Sequence, residues 1–175
     1  MIKGMKVIIL SLLFLLISNV FIFSSEYSEE VVIINESNVS NLGIILTSNT
    51  KFGSFVLRYY HMGNIDLHFN IQIINSSEII LKKIYINGVS MMEYPINTYF
   101  IDGINHFNFG MDIFFEGEKV NILRKLAEIN GIDVYIECFD EINNEKKKYS
   151  FKVSRGNSMH FYSVFDMIFH QWMDY

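Results

Sequence analysis

Two stretches of the chain carry histidine and aspartate at alternate positions. Asp66 and His68 lie in the first stretch, and His106 and Asp112 lie in the second. A histidine beside a carboxylate can bind a metal ion or act as an acid–base pair. If the two stretches are neighbouring antiparallel strands, these side chains converge; if not, they form the solvated outer face of a sheet. The four residues are therefore the candidate site residues, although the sequence assigns them neither a metal nor a catalytic role.

A second set of chemically capable residues recurs at helical spacing near the end of the chain: His160, Ser163, Met167, His170 and Asp174. Methionine and histidine suit Cu(I), and a histidine four residues before an aspartate suits a divalent ion. His160 and His170 are ten residues apart, which is about 15 Å along a helix, so they cannot share one ion. A solvated helix face explains the set equally well.

Nucleophilic and cofactor chemistry find no support in the sequence. Cys138 shares strand parity with Val134 and Ile136, so it belongs to a core face, where a thiol is inert. The chain contains no Gly-x-Ser-x-Gly elbow, Cys-x-x-Cys pair, His-Glu-x-x-His motif or phosphate-binding glycine loop. We therefore expect no catalytic residue and no cofactor, and a non-enzymatic protein is favoured.

The elements that position these residues are mostly strands. Residues 65–73, 106–115 and 147–155 alternate apolar with polar side chains, which is typical of a strand with one buried face. Sheets with one buried and one solvated face are usually antiparallel. The sequence therefore predicts a mainly β, antiparallel protein.

Turn residues and charge pairs predict how several strands join. Asn87-Gly88 and Asp102-Gly103 are strong signals of two-residue hairpins. Residues 140–146 are expected to join a further hairpin, in which Ile136 faces Tyr149, Glu137 faces Lys148 and Asp133 faces Lys152. The adjacent Lys82-Lys83 interrupts the alternation of its segment, so we expect a bulge or a sheet edge there.

Two segments change to helical periodicity. Residues 119–130 carry an apolar stripe that ends at Asn130-Gly131. Residues 158–174 place aromatic side chains on one face, and Asn157 or Ser158 is expected to cap this helix. The fold class predicted is mainly β (α+β): an antiparallel β-sandwich-like domain with two packed amphipathic helices.

The first 25 residues have the layout of a secretory signal peptide. Lys3 and Lys6 precede an apolar run over 7–23, and Ser24-Ser25 follows it. The run is at the lower limit for a membrane span, so an uncleaved anchor is the alternative, and no cysteine is available there for lipid attachment. The sequence thus predicts an exported protein, periplasmic or extracellular, with one globular domain over 26–175.

Charge and composition limit the partners. Only two of the 14 Lys and Arg, and none of the 19 Asp and Glu, lie in the first 25 residues, so 12 basic and 19 acidic side chains remain. An acidic domain repels phosphate backbones, and nucleic acid is not an expected partner. The lone cysteine excludes an internal disulfide. A single proline and abundant Ile, Asn and Lys are typical of an AT-rich bacterial genome.

Three functions from different classes remain open. The favoured one is an exported, non-enzymatic binding or structural module of the cell envelope, whose partner is an envelope protein or a small ligand. It would contact the membrane only through an uncleaved N-terminal segment. The alternative is a small outer-membrane β-barrel protein, in which residues 167–175 form a terminal strand. The third is an exported enzyme or metal-binding protein that uses the Asp66/His68 and His106/Asp112 polar faces.

Overall fold

The computed structural model describes residues 27–35, 42–60, 66–112 and 131–173. Within these ranges the chain forms ten strands and one helix, so the prediction of a mainly β protein is confirmed. In chain order they are β1 (Ser28–Asn35), β2 (Leu42–Thr50), β3 (Gly53–Tyr60), β4 (Asp66–Ile74), β5 (Ile80–Ile86), β6 (Val89–Ser90), β7 (Asn97–Ile101), β8 (Ile104–Asp112), β9 (Ile132–Asp140), β10 (Glu145–Val153) and α1 (Arg155–Met173).

The strands form two antiparallel sheets. The six-stranded sheet has the order β1-β2-β3-β4-β8-β7, and the four-stranded sheet has the order β10-β9-β5-β6. The chain leaves the first sheet after β4, builds β5 and β6 in the second, and returns so that β8 pairs with β4. This excursion brings together two strands that lie more than thirty residues apart in the sequence.

Alternation of side chains gives each sheet one buried face. In the six-stranded sheet we call the buried side the inner face and the opposite side the outer face. Residues of the inner face and of the four-stranded sheet belong to one hydrophobic core; they include Leu57, Phe69, Phe107, Ile136 and Phe151. Phe52, between β2 and β3, links the sheets through ring contacts with Tyr149 and Phe151 of β10, at 5.6 and 5.5 Å between centroids. The core therefore spans both sheets.

The turn and register predictions are confirmed. Asn87-Gly88 joins β5 to β6 and Asp102-Gly103 joins β7 to β8, and all four residues have positive φ angles between 47° and 80°, as a type I′ turn requires. In the β9–β10 hairpin Ile136 faces Tyr149, Glu137 faces Lys148 and Asp133 faces Lys152. The connection is shorter than residues 140–146, because Asp140 still pairs with Glu145.

The irregularity expected at Lys82-Lys83 is a β-bulge. The pairing of β5 with β9 shifts between Leu81 and Lys83. One extra residue in β5 lets Leu81 face buried Cys138, whereas Lys83 faces Glu137 on the outside.

The C-terminal helix α1 packs beside β2 and β1. Its buried stripe contains Phe161, Val164, Phe165 and Ile168, which agrees with the predicted apolar face. The ring of Phe165 meets Tyr59 of β3 edge to face at 4.9 Å between centroids. Residues 167–173, which the barrel hypothesis assigned to a strand, are helical.

The helix begins three residues earlier than predicted, and its cap is a different residue. Ser154, rather than Asn157 or Ser158, is the cap: its Oγ accepts a hydrogen bond from Asn157 N–H at 3.3 Å. Glu29 of β1 then accepts hydrogen bonds from Ser154 N–H and Oγ–H, at 2.8 and 2.7 Å. A carboxylate at a helix N-terminus is favourable. This cap cannot be recognised from the local sequence, because Glu29 lies 125 residues before Ser154.

The prediction of two packed helices is not borne out. One helix lies in the described part of the chain, and the segment predicted to form the other, 119–130, lies outside it. Among the described residues, no helix has both the length and the apolar character to cross a membrane.

Candidate functional site

The strands that carry the four predicted site residues are neighbours. β4 pairs with β8, so that Asp66 faces Asp112 and His68 faces Gly110. His106 faces Gln72, four positions along β4 from His68, which separates the two histidines by roughly 13 Å. The register thus brings the carboxylate-bearing positions opposite each other and keeps the histidines apart. Among the described residues no three His, Cys, Asp or Glu side chains form a group suited to a metal ion.

A groove of about 560 Å³ lies on the outer face of the six-stranded sheet. The adjacent strands β3, β4, β8 and β7 and the segment that leads into β7 provide its lining: Arg58, Tyr60, His68, Phe69, Asn70, Pro95, Asn97, Asn108, Phe109 and Gly110. Only one of the four predicted site residues, His68, belongs to it. The groove is the candidate functional site.

Three asparagines form a row across the groove. Asn97 of β7 faces Asn108 of β8, which faces Asn70 of β4. Side chains directly opposite on adjacent strands share one face of the sheet. Asn70 Nδ2 donates a hydrogen bond to Asn108 Oδ1. The register therefore builds an amide ladder from residues far apart in sequence.

Beside this ladder lies a wider space with a cationic side chain. Arg58 of β3 faces His68 of β4, which in turn faces Gly110 of β8. Gly110 has no side chain, and a Cβ atom at this position would lie 3.8 Å from His68 Nδ1. The glycine thus leaves the floor of the groove open next to Arg58 and His68.

The apolar parts of the lining are Tyr60 and Pro95. The ring of Tyr60 lies over Gly43 of β2, where a Cβ atom would meet Tyr60 Cδ1 at 2.8 Å. Pro95 is exposed between Tyr94 and Ile96, which pack against the core. One tyrosine ring and one proline ring therefore flank the polar floor.

Stacked aromatic rings support the floor from the inner face. Phe69 and Phe109 lie 4.6 Å apart between centroids with an interplanar angle of 3°, and Tyr94 stacks on Phe109 at 6.1 Å. Such packing restricts the strands that carry the amide ladder. The groove is therefore built on a firm scaffold.

The outer face concentrates buried polar atoms without partners. Among the described residues, four buried side-chain nitrogen or oxygen atoms lack a hydrogen-bond partner, and three of them lie on this face: Arg58 Nε, Asn70 Oδ1 and His106 Nδ1. Arg58 and Asn70 line the groove, whereas His106 lies beside it, stacked on Tyr99 at 4.4 Å. Buried polar groups are normally satisfied, so such a concentration calls for a physical reason.

The outward face of the four-stranded sheet behaves differently. Lys83 lies 3.6 Å from Glu137 and Lys152 lies 3.7 Å from Asp133. Tyr135 O–H donates a hydrogen bond to Glu137 at 2.8 Å. These side chains satisfy each other, so among the described residues this surface provides no comparable set of unpaired groups.

A cluster around Asp140 is polar but complete. The carboxylate is fully buried, and its Oδ2 accepts hydrogen bonds from Asn143 Nδ2 at 2.9 Å, Lys147 Nζ at 2.9 Å and Ser77 Oγ at 3.1 Å. Its Oδ1 accepts a hydrogen bond from Asn143 N–H at 3.2 Å. The hydrogen bonds from Asn143 and Lys147 hold the pKa of Asp140 well below its usual range. Because both carboxylate oxygens have partners, we assign the cluster a structural role at the crossing from β4 to β5.

Two other candidates from the sequence lie elsewhere. Cys138 is buried, as predicted, and burial raises the pKa of its thiol to about 12, which disfavours the reactive thiolate. His160, Ser163 and Met167 are exposed on α1. The side chain of His170 and the whole of Asp174 fall outside the described parts.

Comparison of the chain with protein-family models, with curated proteins and with solved structures finds no match in any of the three. Sequence reasoning placed Asn70 and Asn108 on polar strand faces but missed Arg58 and Pro95. The alternation of Ser54, Val56, Arg58 and Tyr60 with buried residues carried that signal, whereas the pairing of β4 with β8 was needed to reveal the groove.

Proposed function

We propose that the protein is an exported, non-enzymatic binding module with a sandwich-like β-fold, and that the outer-face groove binds its ligand. The observation that carries the proposal is the pair of unpaired buried atoms in the groove, Arg58 Nε and Asn70 Oδ1. A desolvated donor or acceptor without a partner costs about 1–3 kcal/mol. Both atoms are closed to solvent, and a ligand that draws the Arg58 and Asn70 side chains toward the groove pairs with both atoms and removes that penalty.

Several features favour binding over catalysis. The lining contains one histidine and no cysteine or serine, and the amides that dominate it neither donate nor accept a proton in acid–base chemistry. The groove is fixed on strands, which suits a preformed site. The signal-like segment 1–25 supports export.

The proposal predicts where small molecules bind. Amide NMR spectra of the protein, titrated with a library of small polar and aromatic fragments, are expected to show shifts concentrated on β3, β4 and β8 around the groove. Gly110→Val should abolish these shifts, because the valine side chain fills the groove. Valine is well tolerated in strands, so the fold should be kept. Ser150→Val, at an exposed position of β10, is the matched control and should leave the titration unchanged.

Shifts that appear elsewhere, or that persist in Gly110→Val, would contradict the proposed site.

Metal binding, the second candidate, is favoured by the register that sets Asp66 opposite Asp112, since directly opposed like charges are destabilising without a counter-charge. Thermal unfolding with Ca²⁺, Mg²⁺ and Zn²⁺ tests it: a rise in Tm lost in Asp66→Asn supports a metal site, and an unchanged Tm excludes it.

A further inference from the structure

We propose that the ligand of the groove is a saccharide, recognised through paired hydroxyl groups. This inference rests on the proposed function, since it names the chemical class that the same site takes. It starts from the two unpaired atoms in the lining. Arg58 Nε is a donor and needs an acceptor, whereas Asn70 Oδ1 is an acceptor and needs a donor.

The opposite requirements of these two atoms select among ligand classes. A carboxylate supplies acceptors only and leaves Asn70 Oδ1 unsatisfied, and an ammonium group supplies donors only and leaves Arg58 Nε unsatisfied. A hydroxyl group donates and accepts through the same oxygen. A ligand with several neighbouring hydroxyl groups therefore satisfies both atoms once the two side chains turn toward the groove, and its size suits a groove of about 560 Å³.

The charge around the groove also argues against an anion. Arg58 is the one Lys or Arg among the lining residues. Residues 26–175 carry 12 basic and 19 acidic side chains. An anionic ligand would approach such a protein at an electrostatic cost, whereas a neutral polyol would not.

The amide ladder matches a chain of sugar rings. Each asparagine presents a donor and an acceptor side by side, which is the complement of a pair of vicinal hydroxyl groups. Asn97, Asn108 and Asn70 lie on successive strands, and neighbouring strands are roughly 4.8 Å apart. That spacing is comparable with the length of one hexose unit. The ladder can thus contact consecutive units of a short oligosaccharide.

Two rings in the lining of the groove suit the apolar faces of a saccharide. Sugar rings have C–H faces that pack on aromatic and proline rings, and Tyr60 and Pro95 provide one of each. A peptide added as an extra strand would need the backbone of a sheet edge, whereas this groove lies on a sheet face and offers side chains.

The test is isothermal titration with soluble saccharides: cello-, malto- and chito-oligosaccharides as neutral probes, and sialyllactose and inorganic phosphate as anionic probes. The inference predicts that at least one neutral oligosaccharide binds. Arg58→Met and Asn70→Leu should each weaken it about tenfold, as expected for a lost hydrogen bond to a polar ligand. Arg155→Met and Ser150→Val, at exposed positions away from the groove, should leave the affinity unchanged.

The outcomes separate this inference from the proposed function. If the fragments shift groove residues but none of the saccharides binds, or if phosphate binds while neutral saccharides do not, the saccharide class is wrong and the groove remains a binding site. If a saccharide binds equally well to Arg58→Met and Asn70→Leu, its site lies elsewhere and the inference fails. If neither fragments nor saccharides reach the groove, both proposals fail. Unchanged amide spectra of the free variants exclude misfolding as the cause of lost binding.

Discussion

Arg58 and Asp140 are charged side chains with opposite surroundings. Asp140 is fully buried, and Asn143, Lys147 and Ser77 satisfy its oxygens. Arg58 is half-buried in the groove, and its Nε has no partner among the described residues. A buried carboxylate whose oxygens all have partners is costly to disrupt, whereas a buried donor without a partner can gain one from a ligand. We therefore assign Asp140 a structural role and propose Arg58 as a binding residue.

The Asp140 cluster makes stability depend on pH. Because the pKa of Asp140 is lowered in the folded protein, its contribution is present above the ordinary carboxyl pKa and is lost as pH falls through the folded value. We expect Asp140→Asn to lower Tm at neutral pH, and the difference from the unmodified protein to shrink steadily as the pH falls below about 4. Thermal unfolding monitored by circular dichroism between pH 7 and pH 2 measures both curves.

The matched control for this prediction is Asp133→Asn in the same strand. Asp133 is exposed and lies 3.7 Å from Lys152, and an exposed ion pair contributes at most about 1 kcal/mol. Its Tm should follow the unmodified protein at every pH. A constant gap between the Asp140→Asn and unmodified curves down to pH 2 would disprove the role assigned to the carboxylate.

At the scale of elements, a few contacts between large aromatic side chains hold helix α1 against the six-stranded sheet. Phe165 is 2% exposed, meets Tyr59 at 4.9 Å between ring centroids and lies parallel to Phe161. We expect Phe165→Ala to lower the free energy of unfolding by about 3–5 kcal/mol, because it removes a buried ring and leaves a cavity. Met167→Ala, at a position that is 51% exposed, should change it by less than about 0.5 kcal/mol.

Urea unfolding of both variants measures these differences in free energy. If Phe165→Ala lowers the free energy of unfolding by less than about 1 kcal/mol, α1 does not depend on this contact. A loosely packed site, or one that collapses around the smaller side chain, would give such a small loss. An equal loss in Met167→Ala would show that the two faces of the helix are not distinguished in the way described.

The elements that the sequence predicts well are those whose signals are local. Alternation of apolar residues predicts the buried faces of β4 and β8, and the turn residues Asn87-Gly88 predict a hairpin, because each depends on residues close together in the chain. The Ser154 cap depends on Glu29 from the far end of the chain. The pairing of β4 with β8 depends on the excursion through the other sheet. The groove shares this non-local origin, so the sequence indicated polar faces but not a site.

At the scale of the whole molecule, location and charge set the context of binding. Residues 26–175 carry 12 basic and 19 acidic side chains, which opposes polyanionic partners. The segment 1–25 has the layout of a signal for export. An exported binding module with a neutral, hydroxyl-rich ligand is consistent with both features, since such a ligand is not repelled by an acidic protein.

The proposed export has a direct consequence for the mature chain. We expect the protein recovered from the envelope or the medium to begin near Glu26, and intact-mass measurement establishes its first residue. Leu13→Arg, which interrupts the apolar run, should block export and leave the full-length chain inside the cell, whereas the conservative Leu13→Ile should not. A full-length chain found inside the cell without any substitution would contradict the proposed location.

The central claim is that Arg58 Nε and Asn70 Oδ1 contact the ligand. The most direct measurement is the NMR signal of the Arg58 Nε–H group, assigned by its absence in Arg58→Met and followed during titration with the tightest-binding saccharide or fragment. The account predicts that this signal shifts and that its exchange with water slows, while the Nε–H signal of exposed Arg155 stays unchanged. If the ligand binds and the Arg58 signal neither moves nor gains protection, the groove is not the site.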